Sequence, residues 1–109
     1  MNFMSTIYLI ESVRDYDTVY KIGYTKSDNA KNRITQLQTG NDGKLKIIYE
    51  YHTKYGTTLE KSLHNRYLPN KIKNEWFNLD ISDVANFINT CEKIENNFKA
   101  LKDNPFFKV

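Results

Sequence analysis

Tyr8, Lys21, Arg33, Glu60 and His64 are the side chains whose types and placement suit a reaction, and the reaction they suit is phosphodiester hydrolysis. A carboxylate such as Glu60 holds a hard divalent cation that keeps most of its waters. The cation polarises a phosphoryl oxygen and steadies the leaving oxygen. Arg33 offers the phosphate a two-pronged guanidinium. Tyr8 accepts a proton from the attacking water if neighbouring cations lower its pKa. His64 stands one helical turn beyond Glu60.

Each residue also has a plainer reading. Thr57-Thr58-Leu59-Glu60 matches the Ser/Thr-x-x-Glu capping box, in which Glu60 only bonds a backbone N–H at the start of a helix. Arg33 and His64 read equally as surface helix residues, and Tyr8 as a core aromatic with its hydroxyl at the rim. Lys21 reads as a charge on an edge strand, and Glu75 with Trp76 as a loop anchor.

The elements that must position these groups follow from periodicity. "STIYLIES" (5–12) and "VYKIGYT" (19–25) are strands joined as a hairpin. "SDNAKNRITQLQTG" (27–40) is a helix capped by Ser27 or Asp28, closed by Gly40, with Ala30, Ile34 and Leu37 as its apolar stripe. "NDG" (41–43) is a turn, and "KLKIIYEYHT" (44–53) is a strand with Leu45, Ile47, Tyr49 and Tyr51 on one face. A second helix, 56–68, buries Leu59, Leu63 and Tyr67 and stops at Pro69. "NEWFNL" (74–79) is extended. A long helix, 80–101, is capped by Asp80 and carries Ile81, Val84, Ile88, Cys91, Ile94, Phe98 and Leu101 at helical spacing. The tail is irregular, with Phe106 and Phe107 folding back on the body. The order ββαβα plus a long C-terminal helix predicts an α+β fold.

A helix advances about 100° per residue, so Arg33 and Glu60 both fall at the edges of their apolar stripes, beside the sheet. Tyr8 shares a strand face with Thr6 and Ile10, and Lys21 shares one with Gly23. One cleft between strands and helices therefore gathers Tyr8, Lys21, Arg33, Glu60 and His64. Gly23 is the odd member of its strand, since a glycine there often marks close approach of a ligand or another backbone.

The 109 residues suit one domain with one core. A single cysteine, Cys91, excludes an intrachain disulfide and a cysteine metal cage and points to a reducing, intracellular compartment. The N-terminus lacks a signal-peptide pattern, and no apolar run approaches a membrane span. The net charge is +3, but residues 19–75 hold eleven Lys and Arg against five acids. That basic middle suits a polyanion, and equally a solvated surface.

Taken in order, "TIY" (6–8), "KIG" (21–23), "NRITQLQTGN", "LEKSLHNRY" and "NEWF" resemble the GIY-YIG nuclease superfamily, and more closely its phage and viral branch with a "YKIG" second motif. The likeness spans about residues 5–79. It implies a three-stranded antiparallel sheet flanked by helices and cleavage of DNA with one Mg2+ or Mn2+ ion. Residue by residue, it makes Tyr8 the general base or its helper, Arg33 the phosphate clamp and Glu60 the metal ligand. Gly23, Tyr24 and Lys26 then face substrate, with Gly23 leaving room for its approach. Three positions depart from the pattern. Thr6 replaces a glycine, Lys21 stands where the second motif has Tyr, and Leu37 stands where an aromatic or His is common. Lys21 is left to hold phosphate or lower a tyrosine pKa, and His64 or Tyr24 to share the base role. A lone domain of this kind implies low sequence specificity, supplemented by a homodimer or a separate targeting partner. A catalytically inactive nucleic-acid-binding or protein-interaction module of the same fold is the alternative.

Overall fold

Two strands rich in β-branched and aromatic residues, separated by a short polar turn, pair as a hairpin. In the computed structural model, which describes residues 4–26, 30–39 and 43–103, these are β1 (Ser5–Val13) and β2 (Thr18–Thr25). They run antiparallel with Tyr8 opposite Gly23 and Ile10 opposite Lys21. The Arg14 amide donates to the Asp17 carbonyl at 2.9 Å and closes the turn. β3 (Lys44–Thr53) pairs antiparallel with the other side of β1, placing Glu50 opposite Tyr8.

The sheet does not stop at three strands. The residues after the second helix form β4 (Lys71–Lys73) and β5 (Trp76–Phe77), and the strand order is β3-β1-β2-β5-β4. Asn74 takes a positive φ of 56° in the turn between them, a conformation Asn tolerates. β5 then lies on β2, with Trp76 opposite Lys21 and the Ile22 amide donating to the Glu75 carbonyl at 3.1 Å. The two added strands total five residues, too short for alternation to reveal. They also make β2 an interior strand, so the edge-strand reading of Lys21 fails.

Helices cover both faces. α2 (Gly56–Arg66) and α4 (Phe87–Asp103) pack on the face carrying Ile7, Leu9 and Ile22, where Leu59, Leu63, Phe77, Phe87 and Cys91 are fully buried. Each such aliphatic or aromatic side chain contributes about 1.5–3 kcal/mol. α1 (Lys31–Thr39) packs on the opposite face, where Tyr8, Ile10 and Ala30 meet Ile34, Leu37, Leu45 and Ile47. A register shift between Leu9 and Ile10 splits β3 between the two layers. Leu45 and Ile47 lie under α1, whereas Ile48, Tyr49 and Tyr51 join the α2/α4 core. The predicted single face for Leu45, Ile47, Tyr49 and Tyr51 is thus broken by a bulge, which adds one residue to the strand's count.

The predicted long helix is also two. α3 (Ile81–Ala85) starts with a full capping box between Asp80 and Asp83. It ends at Asn86, whose side-chain amide donates to the Ser82 carbonyl at 2.9 Å. The break shifts the phase of the stripe. Ile81 is 86% exposed, and Phe87 becomes the buried anchor, stacked on Tyr49 at 6.4 Å between ring centroids. The expected caps at Ser27, Asp28 and Gly40, the start of the 41–43 turn and the tail with Phe106 and Phe107 lie outside the described residues. No described helix is long and apolar enough to cross a membrane.

Candidate active site

The site begins with a close approach inside the first hairpin. Tyr8 lies opposite Gly23, and its ring crosses the glycine. A Cβ built on Gly23 would sit 2.4 Å from both Cζ and Oη of Tyr8. The space expected for substrate at Gly23 is therefore filled by the Tyr8 ring, which is itself 3% exposed. The glycine serves the tyrosine, which forms part of the cleft wall.

α1 is held over this face by polar ties from β3. The Ala30 amide donates to the Glu50 carboxylate at 3.2 Å, which satisfies a donor at the entry to the helix. Gln38 in the last turn donates to the Gly43 carbonyl at 2.9 Å and accepts from the Leu45 amide at 3.2 Å. Both ends thus anchored, α1 presents Arg33, exposed, beside Tyr8.

α2 starts at Gly56, as its expected range has it, and two residues before the start that a box capped by Thr57 would set. Its N-cap is Tyr55, no side chain caps it, and Glu60 is the fifth helical residue. The Thr57–Glu60 capping box is not formed, because Thr57 is already inside the helix and Glu60 lies five residues past the N-cap Tyr55 where a box needs three. Gly56 permits this start, since a Cβ there would sit 2.8 Å from Ser5 Cβ and from the Tyr24 ring. The carboxylate of Glu60 is left to face the cleft.

Glu60, His64 and Glu75 come together there, with one potential ligand atom from each lying within 4.8 Å of the others. Glu60 and His64 meet because residues four apart share a helix face. Glu75 arrives from the β4–β5 turn. His64 Nε2 donates to the Ile22 carbonyl at 2.8 Å, where the short β2–β5 ladder ends. That bond leaves Nδ1 with the lone pair. The His64 ring also stands edge-on to Phe77 at 5.0 Å. Glu75 was expected only as a loop anchor; its place in the "NEWF" segment was the available signal.

The electrostatics follow from burial and like charge. Burial and then the neighbouring Glu75 carboxylate raise the Glu60 pKa, against the pull of His64 and Lys21. Two carboxylates this close favour a shared proton or a cation. The Tyr8 phenol is pushed up to about 12, by burial first, then by Glu75 and Glu60, with Arg33 acting against them. The expected lowering of the Tyr8 pKa is not found, and the cation that acts on it is Arg33 and not Lys21. Lys21 is only 9% exposed, and its ammonium forms an ion pair with Glu75 at 2.5 Å. It lies 5.8 Å from the centre of the Trp76 ring.

Tyr8, Lys21, Tyr24, Arg33, Gln36, Leu37, Glu60 and Glu75 line one cleft of about 420 Å³. Of the predicted site residues, Tyr8, Lys21, Tyr24, Arg33 and Glu60 are thus brought together, and His64 adjoins Glu60 and Glu75 without lining the cleft. Gly23 is beneath Tyr8. Lys26 is exposed at the end of β2 and is not part of the cleft wall. A second cleft, about 540 Å³, lies between Arg66–Tyr67 and the polar side of α3 and α4. None of the predicted site residues lines it.

The model of one protein family, described as the T5orf172 domain, matches residues 5–92. No curated protein and no solved structure matches the chain.

Proposed function

Because the chain belongs to the T5orf172 domain family, a phage-derived domain associated with GIY-YIG-like nucleases, we propose that it is a metal-dependent endonuclease that hydrolyses DNA phosphodiester bonds. The observation that carries this reading is the convergence of Tyr8, Arg33 and Glu60 from three separate elements, and of Glu75 from the β4–β5 turn, on one small cleft. Glu60, Glu75 and His64 offer two carboxylates and an imidazole, a donor set that suits a divalent cation.

A bound Mg2+ or Mn2+ supplies Lewis-acid stabilisation of the phosphoryl and leaving oxygens. The chain's own residues do the rest. Arg33, exposed at the rim, reaches the non-bridging phosphate oxygens with its guanidinium. Tyr8 Oη hydrogen-bonds the attacking water, and as the phenolate, its own proton first lost to solvent, it would accept the water's proton. Burial holds the phenol up first, and Glu75 and Glu60 add to it; neutralising the two carboxylates removes their share and leaves Arg33 to act against burial alone. A cleft of about 420 Å³ admits a phosphodiester and its sugars rather than several base edges, which accords with low intrinsic sequence specificity. Target choice then falls to a second copy or a separate partner.

The test is nicking of supercoiled plasmid by wild type and Glu60→Gln, each with Mg2+, with Mn2+ and with chelator. Metal-dependent nicking that the substitution abolishes is the expected result. One observation favours a second reading, a DNA-binding module without catalysis: the Lys21–Glu75 pair stands in the cleft where the second motif of the resembling nucleases has Tyr. If both proteins fold and bind DNA but neither nicks, that second reading replaces the first.

A further inference from the structure

Lys21 is a puzzle that the nuclease reading alone does not absorb. It lies on an interior strand, is 9% exposed, and among the described residues has one ion-pair partner, Glu75. A buried ammonium is expensive unless paired and hydrogen-bonded, and a leucine or methionine would fill the same space without that cost. Its partner is poorly suited to a permanent pair, since the Glu75 side chain is 39% exposed and sits in the β4–β5 turn. Moreover, Glu75 is also within ligand distance of Glu60 and His64. One carboxylate therefore faces two claimants.

We propose that Glu75 exchanges between the Lys21 ammonium and a divalent cation held by Glu60 and His64, and that the cation, on taking Glu75, turns the Lys21 ammonium to the substrate phosphate. The inference rests on the cation site of the nuclease reading and adds a role for Lys21 and Glu75 within it. Lys21, Tyr8 and Arg33 line the same cleft, so a released ammonium has the phosphate within reach and needs no strand movement. Its three donors serve a phosphate oxygen as a point charge beside the planar fork of Arg33. The exchange makes cation and phosphate binding cooperative. Without it, the cleft holds two cationic and two carboxylate side chains that neutralise one another. With a divalent cation on the carboxylates, both side-chain cations face an anionic ligand.

The test measures Mn2+ affinity by calorimetry on the full chain without DNA, for wild type, Lys21→Met, Glu75→Gln and the double variant. Lys21 competes with the cation for Glu75 and repels it, so Lys21→Met should tighten Mn2+ about tenfold. Glu75→Gln should weaken it about tenfold, and Lys21→Met should then add little in the double variant. DNA affinity of the unmodified protein should rise on adding Ca2+ as a non-cleaving cation, and that rise should vanish in Lys21→Met. Should Lys21→Met disturb the fold, the Lys21 side-chain NMR resonances of the unmodified protein give the same answer, because they should shift as Mg2+ saturates the site. Unchanged Mn2+ affinity in a folded Lys21→Met, or static Lys21 resonances under saturating Mg2+, overturns the exchange while leaving Mn2+ binding and nicking intact. Failure of the wild type to bind Mn2+ at all overturns both the exchange and the cation site beneath it.

Discussion

Gly23→Ala is the substitution whose outcome the structure decides most sharply. On strand propensity alone it should help, because alanine loses less backbone entropy than glycine, worth about 0.5–1 kcal/mol in a regular element. The packing says otherwise. The new Cβ would lie 2.4 Å from Cζ and Oη of Tyr8 and 2.7 Å from Cε1, against a comfortable separation of about 3.5–4.0 Å. The ring must move by about 1 Å or more, yet it is 3% exposed and clamped among Ile10, Ala30, Ile34 and Leu37. Overpacking of this kind costs about 1–3 kcal/mol, so the balance is a loss of about 1–2 kcal/mol. For a domain of this size that is a fall in Tm of roughly 4–8 °C per kcal/mol. Thermal and urea unfolding of wild type and variant measure it directly. A double-variant cycle locates the cause, because in a Tyr8→Ala background the same change at Gly23 should become neutral or stabilising. Gly23→Ala as stable as wild type would refute the account of Tyr8 lying over Gly23.

Three further outcomes follow from individual side chains. Glu60 is raised by burial and by Glu75, so its folded pKa lies above the unfolded one and its ionisation removes stability as pH rises through that value. Glu60→Gln should therefore raise Tm at neutral pH, while Mg2+ should raise Tm of wild type and not of the variant; equal Tm values under all four conditions would count against the carboxylate pair. The folded pKa values of Tyr8 and Cys91 are both pushed up to about 12 from 10.0 and 9.0, chiefly by burial, and Tyr51 is raised by burial and its hydrogen bond to Glu95. The unfolded chain loses these protons first, so stability holds below about pH 9 and falls toward pH 12 at about 1.4 kcal/mol per pH unit for each group caught between its two values; melting curves from pH 8 to 11 should show the decline, and a flat profile would contradict it. Asp80→Ala removes the bond from the Asp83 amide at 2.8 Å and should cost about 1 kcal/mol in urea unfolding; a change below about 0.3 kcal/mol would show that α3 does not depend on its cap.

What could be read from the sequence alone was local. β1, β2 and β3, and the helices that became α1 and α2, follow from strand and helix periods of short range, and β3 runs over the residues expected of it, Lys44–Thr53. The Asp80 cap was equally legible, since donor and acceptor are three residues apart. Tyr8, Arg33 and Glu60 could be placed in one cleft because stripe edges and strand faces are set by helix and strand geometry. The remainder depended on partners distant in sequence. Whether Glu60 caps a helix or faces a cleft stayed open because the 56–68 range and the Thr57–Glu60 box set different starts; the start at Gly56, packed closely against Ser5 and Tyr24, decides for the cleft. The fourth and fifth strands exist because Glu75 and Trp76 find β2, and no period reveals so short a pairing. Lys21 and Glu75 are separated by 54 positions, and Tyr8 and Gly23 meet by strand register alone. The backbone periods thus set which residues could face the cleft, whereas long-range packing decided which carboxylate, which ring and which ammonium meet inside it, because burial and charge act through space between residues that no local pattern connects.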